Sequence, residues 1–93
     1  MLNKARLTTY DGGCSHTKSI GYKDEDSYTN DFGYEFLKYK NDLYIRDCPE
    51  DNFEPATAFK IKAAFNPDFA AFINWCEKEN TPTWFERNKE DIF

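Results

Sequence analysis

The clearest hydrophobic pattern in the chain lies in residues 33–47, where two short runs rich in aromatic and aliphatic residues flank a polar turn. Short runs of this composition are typical of β-strands, and a tight polar turn between two of them indicates a hairpin. The sequence therefore predicts a central hairpin at about 34–47 within a small antiparallel sheet.

The register of this hairpin follows from its apolar side chains. A three-residue connection at 40–42 places Tyr39 opposite Leu43 and Leu37 opposite Ile45, so that four apolar residues share one face. A two-residue loop that pairs Leu37 with a charged residue would break up this face. We therefore expect the longer connection, with a helix on the apolar face. The opposite face would carry aromatic and basic residues, namely Tyr34, Phe36, Lys38, Tyr44 and Arg46.

Shorter patterns before the hairpin predict further strands. Residues 5–10 and 18–22 contain β-branched and aromatic residues. The break between them at Gly12-Gly13 supplies the positive φ that a tight turn needs. Residues 23–32 are rich in acids and predict an exposed loop.

After the hairpin, residues 48–55 predict another loop, because prolines bracket them. Residues 58–65 begin with strict alternation, which favours a strand, although their alanines leave a helix as the alternative. Asn66, Pro67 and Asp68 then form a helix start, with an N-cap, a proline at the first position and an acid in the first turn. Residues at helical spacing on this helix would pack on the sheet, namely Phe69, Phe72, Ile73 and Cys76.

Asn80 is expected to end that helix, and Thr81-Pro82 to begin a shorter one that contains Trp84 and Phe85. Together these elements predict an α+β fold in one domain spanning residues 1–93. The antiparallel sheet would have three or four strands, with one or two C-terminal helices packed on one face.

Composition and charge narrow the classes of function. Nine Phe, six Tyr and two Trp supply an aromatic core for 93 residues. We expect a cytoplasmic protein with free thiols, because no apolar run is long enough for a membrane span and no secretory signal follows the first residues. The net charge of −5 divides unevenly, at +3 in residues 1–23 and −7 in residues 24–58. Such an acidic middle disfavours direct binding to nucleic acid and favours a basic partner.

The main candidate site is an array of carboxylates interleaved with aromatic residues in the two loops that flank the hairpin. We expect the hairpin to hold these loops at one edge, where they would dock on the Lys and Arg side chains of a basic protein partner, for example one that binds nucleic acid. The predicted partner-binding residues are Asp24, Glu25, Asp26, Tyr28, Asp31, Phe32, Asp47, Glu50, Asp51, Phe53 and Glu54. The alternative is a solvated acidic surface that keeps a small protein in solution.

Two other groups of residues suggest different chemistry. Cys14, His16, Cys48 and Cys76 include the ligand types of a zinc site, but only the first two are close in the chain. Cys14 and His16 also follow the glycine turn, so a small cysteine-dependent activity is an alternative function. The ligand spacing disfavours zinc, so we expect no metal and no cofactor. We also expect no enzyme, because no residue is identified that would orient the histidine. The aromatic and basic face of the hairpin suggests single-stranded nucleic acid binding as a further alternative, which the acidic flanks disfavour.

No motif in the sequence assigns the chain to a family. In its size and acidity, the chain resembles small single-domain accessory proteins of phages and mobile elements, a group that includes anti-CRISPR and anti-restriction inhibitors. This resemblance implies a non-enzymatic protein that works by occupying the surface of a partner, and it carries no individual residues over. A homodimer is also compatible with the aromatic content.

Overall fold

The computed structural model describes residues 2–64, 69–78 and 81–92, which form six strands and three α-helices. The strands are β1 (Asn3–Asp11), β2 (Cys14–Tyr22), β3 (Ser27–Thr29), β4 (Glu35–Tyr39), β5 (Asp42–Arg46) and β6 (Glu54–Pro55). The helices are α1 (Ala58–Ala64), α2 (Ala70–Glu77) and α3 (Thr83–Ile92), and a 3-10 turn spans Asp24–Asp26. The predicted α+β fold, with a small antiparallel sheet and C-terminal helices packed on it, is confirmed.

β1 and β2 form a long hairpin, and its turn lies at Gly12-Gly13, where the sequence predicts a break between two strands. The two glycines have φ of 60° and 84°, a backbone region that side chains disfavour. The register is regular from the pair Asn3 and Tyr22 to the pair Asp11 and Cys14. Both strands extend beyond the segments 5–10 and 18–22 that the sequence predicts.

The other four strands form an antiparallel sheet in the order β3-β4-β5-β6. A parallel bridge between Leu7 and Phe53 joins this sheet to the hairpin. The Thr8 N–H donates to the Phe53 carbonyl at 2.7 Å, and the Phe53 N–H donates to the Arg6 carbonyl at 2.8 Å. These bonds tie β1 to the segment that enters β6, so that the hairpin lies over one face of the sheet.

The four-stranded sheet is the middle layer of the fold, because apolar residues are buried on both of its faces. On one face, the core is formed with the helices by Phe36, Leu43, Ile45, Ala56, Ile61, Ala64, Phe72, Cys76 and Phe85. On the other face, the core is formed with the β1–β2 hairpin by Ala5, Leu7, Ile20, Leu37, Tyr44 and Phe53.

The predicted register of the central hairpin is wrong. The turn between β4 and β5 has two residues, Lys40 and Asn41, and it places Leu37 opposite Tyr44. Both turn residues have positive φ, 48° and 67°, as in the two-residue turns whose twist matches that of the flanking strands. The prediction assumed one apolar face, whereas a sheet covered on both sides buries residues of both parities.

The predicted strand at 58–65 is also wrong, because α1 occupies most of this range. Thr57 caps the helix, since its Oγ1 accepts a hydrogen bond from the Lys60 N–H at 3.2 Å. Alanines favour a helix, and the buried residues Ile61 and Ala64 are spaced three apart as on a helical face. Phe59, the first apolar residue of the alternation, is 81% exposed, whereas Ile61 is fully buried.

The segment 23–32, predicted as an exposed loop, contains a short edge strand. β3 pairs with β4, and Ser27 lies opposite Leu37. β3 has only three residues, and a strand this short shows no recognisable hydrophobic periodicity in the sequence.

The C-terminal helices pack as predicted where the structure describes them. Phe72 and Cys76 are fully buried, which confirms the sheet-facing side of α2. The predicted helix start at 66–68 and the predicted end at Asn80 lie outside the described residues. The beginning of α3 is anchored to the central hairpin, because the Trp84 N–H donates to the Asn41 carbonyl at 3.0 Å. None of the described helices is long and apolar enough to cross a membrane.

A candidate binding cleft at one end of the sheet

The structure separates the acidic residues that the sequence groups into one surface. The last residue of β3, Thr29, lies opposite Glu35 at the start of β4. Asp31 comes two residues after Thr29 and therefore lies at this end of the sheet. The acids at 24–26 precede β3, whose first residue, Ser27, lies opposite Leu37, so they lie toward the opposite end. The prediction that the hairpin holds both acidic loops at one edge is therefore wrong.

The second acidic loop shares its end of the sheet with Asp31. Arg46, the last residue of β5, also lies opposite Glu35, and the loop at 47–52 continues from it. A cleft of about 580 Å³ opens here between the loop, the sheet and α1. It is lined by Thr8, Tyr34, Ile45, Arg46, Asp47, Asp51, Asn52, Glu54, Phe59, Lys60 and Ala63.

Both cations of the cleft are paired within the chain. Arg46 donates to the two carboxylate oxygens of Glu35, from Nε at 2.9 Å and from a terminal nitrogen at 3.2 Å. Lys60 Nζ lies 3.2 Å from a carboxylate oxygen of Glu54. Within the described part of the chain, Asp47 and Asp51 are in no salt bridge. The unbalanced charge of the cleft is therefore negative.

Aromatic side chains accompany these carboxylates. Phe59 is 81% exposed at the rim of the cleft, and Tyr34 lines it from a half-buried position. Phe32, two residues before Tyr34 in the β3–β4 loop, is 72% exposed. An aromatic ring beside a carboxylate offers both an apolar contact and a counter-charge to a cationic side chain.

Asn30 holds the β3–β4 loop in place, and sequence reasoning missed it. Its side chain is buried, and its Oδ1 accepts hydrogen bonds from the N–H groups of Phe32 at 3.0 Å and Tyr34 at 2.9 Å. Its Nδ2 donates to the Ala64 carbonyl at the end of α1, at 2.9 Å. The sequence signal that identifies this residue is an Asn three residues before a glycine. Asn side chains often hydrogen-bond the backbone of their own loop, and Gly33 has a positive φ of 89° that favours glycine.

Several predicted site residues lie away from the cleft and are buried or bonded to other parts of the chain. Phe53 is fully buried beneath the hairpin, so it cannot serve as a surface anchor as predicted. Tyr28 is half-buried and stacks on Trp75, with 5.6 Å between the ring centroids. Asp24 accepts a hydrogen bond from the side-chain amide of Asn3, and the Glu25 carbonyl accepts one from Trp75 Nε1 at 3.1 Å.

Asp26 is half-buried, and Glu50 is exposed in the loop that borders the cleft. The structure thus brings together one subset of the predicted residues at the cleft end of the sheet, namely Asp31, Phe32, Asp47, Glu50, Asp51 and Glu54.

Asp47, Cys48 and Asp51 place three potential ligand atoms within 4.8 Å of one another. The pKa of the Cys48 thiol is raised, chiefly by its side-chain hydrogen bond with Asp51. This bond stabilises the protonated thiol and disfavours the thiolate that a soft metal requires. The group therefore contributes to the cleft mainly as two carboxylates.

The structure does not bring together the four residues considered for zinc. Cys14 and His16 are exposed at the tip of the β1–β2 hairpin, whereas Cys76 is buried on α2. Burial raises the pKa of Cys76 to about 12, so this thiol stays protonated at neutral pH. Among the described residues, the one group of three or more such ligand types is the one at Asp47, Cys48 and Asp51.

The aromatic and basic hairpin face considered for nucleic acid is not formed. The observed register turns Phe36 and Lys38 toward the helices and Tyr44 toward the β1–β2 hairpin. Lys38 is buried, its Nζ donates to the Trp75 carbonyl at 2.5 Å, and it lies 4.5 Å from the centre of the Trp75 ring. These side chains are therefore structural and do not form a platform for stacked bases.

No protein-family model, curated protein or solved structure matches this chain. The case for a site therefore depends on the geometry of the chain itself.

Proposed function

We propose that this protein is a non-enzymatic binding protein that places its acidic cleft against a basic segment of a partner protein. The observation that supports this proposal is the charge imbalance of the cleft. Arg46 and Lys60 are already paired with Glu35 and Glu54, while Asp47 and Asp51 line the opening without a salt bridge to any described residue.

A lysine or arginine side chain of the partner would enter between the carboxylates and the exposed ring of Phe59. Its charge would meet Asp47 and Asp51, and its aliphatic stem would pack on the ring. Phe32 would add a second apolar contact at the same end of the sheet. Aromatic anchors inside a charged rim are the usual arrangement of energetically important residues in protein interfaces.

The basic surface of a nucleic-acid-binding protein is the partner class that we propose. Such surfaces present Lys and Arg side chains that hold phosphates, and an acidic protein that occupies them would compete with the nucleic acid. This activity corresponds to the inhibitors among the accessory proteins that the chain resembles in size and charge. We propose that it acts in the cytoplasm.

A labelled peptide of alternating lysine and glycine residues, titrated at low salt, tests the cleft. Asp47→Asn/Asp51→Asn should weaken its binding roughly 5- to 30-fold, because each exposed carboxylate–cation contact contributes about 0.5–1 kcal/mol. Fluorescence anisotropy measures the change, and binding should also weaken as salt is added.

The matched control is Asp24→Asn/Glu25→Gln/Asp26→Asn, which removes more charge at the other end of the sheet. Its binding should stay within about twofold of the unaltered protein, since screening reduces the effect of distant exposed charges. If the control loses as much affinity as Asp47→Asn/Asp51→Asn, the peptide senses net charge alone and the cleft is not the binding site.

A further inference from the structure

The outer edge of β2 has unpaired backbone groups. β2 pairs with β1 along all nine of its residues, and in the described part of the chain no strand lies on its other side. Residues 14–19 are all exposed, and neither a proline nor a bulge interrupts the register. A long and regular free edge of this kind is a template for the addition of another strand.

The register shows which residues offer these groups. Asp11 and Cys14 close a two-residue turn, so they form a hydrogen-bonded pair, and such pairs alternate along an antiparallel ladder. The intervening residues of β2 therefore direct their N–H and C=O groups outward. They are Ser15, Thr17, Ser19 and Gly21.

A shallow groove of about 470 Å³ adjoins this edge. Lys4 and Arg6 line it from the outer face of the hairpin, and the other lining residues are Leu2, Ala5, Ser19, Ile20 and Gly21. Lys4 lies opposite Gly21 and Arg6 lies opposite Ser19, so both cations have small neighbours on β2. Adjacent strands are roughly 4.8 Å apart, and a long side chain on β1 can therefore cross β2 and reach an added strand. Neither cation is in a salt bridge with any described residue.

We propose that the free edge of β2 binds an extended acidic segment of another protein as an added β-strand. Main-chain hydrogen bonds to β2 would supply affinity, and carboxylates on alternate residues would contact Lys4 and Arg6. Charge complementarity supports this occupant, because residues 1–23 have a net charge of +3 in a chain of −5. The surface is separate from the acidic cleft and selects the opposite charge.

Two other occupants fit this edge less well. A second copy would bring two basic hairpins side by side, and like charges on adjacent strands are destabilising. Single-stranded nucleic acid would need stacking rings, and the aromatic residue on the outer face of β1 is Tyr10, at the tip and away from Lys4.

The test uses the full chain and a labelled, end-capped peptide, Glu-Val-Glu-Val-Glu-Val-Glu, followed by fluorescence anisotropy. Lys4→Glu/Arg6→Glu should weaken binding at least about tenfold, because it reverses both contacts at exposed positions that do not contribute to the core. Lys62→Glu/Lys78→Glu makes the same change in net charge at exposed positions on α1 and just after α2, and it should leave binding within about twofold.

A second peptide separates strand addition from attraction of charge. The same sequence with alternate backbone nitrogens methylated keeps its carboxylates but cannot complete the ladder, so it should not bind. The inference is overturned if the methylated peptide binds as well as the unmodified one, if the unmodified peptide does not bind, or if Lys4→Glu/Arg6→Glu has no effect. Dimerisation through β2 that excludes the peptide, or tighter binding of oligothymidylate at this edge, would overturn it as well.

Discussion

The side chain of Asn30 makes three hydrogen bonds: its Oδ1 accepts two from N–H groups of the β3–β4 loop, and its Nδ2 donates one to the Ala64 carbonyl at the end of α1. The loop contributes Tyr34 to the cleft, and α1 contributes Phe59 and Lys60, so this one side chain fixes the spacing of two cleft walls. Its amide is buried, and both of its polar atoms are bonded. A buried polar group satisfied in this way specifies a local structure that an apolar residue could not.

Asn30→Ala should lower the free energy of unfolding by about 2–3 kcal/mol. The substitution removes three hydrogen bonds, each with a net value of about 0.5–1.5 kcal/mol, and leaves loop N–H groups without their acceptor. Urea denaturation measures the change. Asn74→Ala is the control, because Asn74 is exposed on α2 and its substitution should cost less than about 0.5 kcal/mol. Equal effects of the two substitutions would show that the Asn30 bonds contribute little.

Aromatic residues show where prediction from single positions fails. Phe53 lies among acids in a loop between prolines, yet it is fully buried, whereas Phe59 lies in an apolar alternation and is 81% exposed. Phe53 is buried because it bridges to Leu7, a residue far away in the chain. Local patterns report the period of a segment but not the distant segment that covers it, so the carboxylates of the cleft could be predicted but its aromatic residues could not.

The positions of the strands and helices were more predictable than which side of each element is buried. The central hairpin lies where its polar turn indicates it, the β1–β2 turn lies at the predicted glycine break, and the helical spacing of Phe72 and Cys76 identifies the buried side of α2. The register of β4 and β5 was missed because a sheet covered on both faces does not follow the rule of one apolar side. α1 was missed because its first residues happen to alternate, although Thr57 and the alanines favour a helix.

Substitutions in the turn between β4 and β5 can test the observed register of these two strands. Lys40 has φ of 48°, a region that is costly for a lysine and well suited to asparagine, and the φ of 67° at Asn41 suits glycine. Lys40→Asn/Asn41→Gly should therefore raise stability by about 0.5–1 kcal/mol, after allowance for the lost contact between Lys40 and the Tyr39 ring. Thermal unfolding should show a rise of roughly 2–8 °C.

Lys40→Val serves as the opposite control, because a β-branched residue is disfavoured at positive φ. It should lower stability by about 1–2 kcal/mol. A loss of stability in Lys40→Asn/Asn41→Gly, together with no loss in Lys40→Val, would be inconsistent with a two-residue turn at this position.

At the scale of the whole molecule, charge is segregated between surfaces. The β1–β2 hairpin carries its cations on a sheet face and beside a free edge. Asp47 and Asp51, which form no salt bridge with any described residue, line a cleft next to α1. The cations nearest the cleft are neutralised internally. A small protein with two surfaces of opposite charge is suited to contact a partner at two places, which increases affinity without a larger interface.

The most direct test of the acidic cleft is a nuclear magnetic resonance titration of the isotope-labelled protein with the lysine–glycine peptide. Amide chemical shifts should change in the segments that border the cleft, at 30–34, 46–54 and 58–63, and should change little at 24–26. A binding site in the cleft would be contradicted if the largest chemical-shift changes occurred at 24–26 or along β2. Small shift changes spread evenly over all acidic residues would contradict it as well.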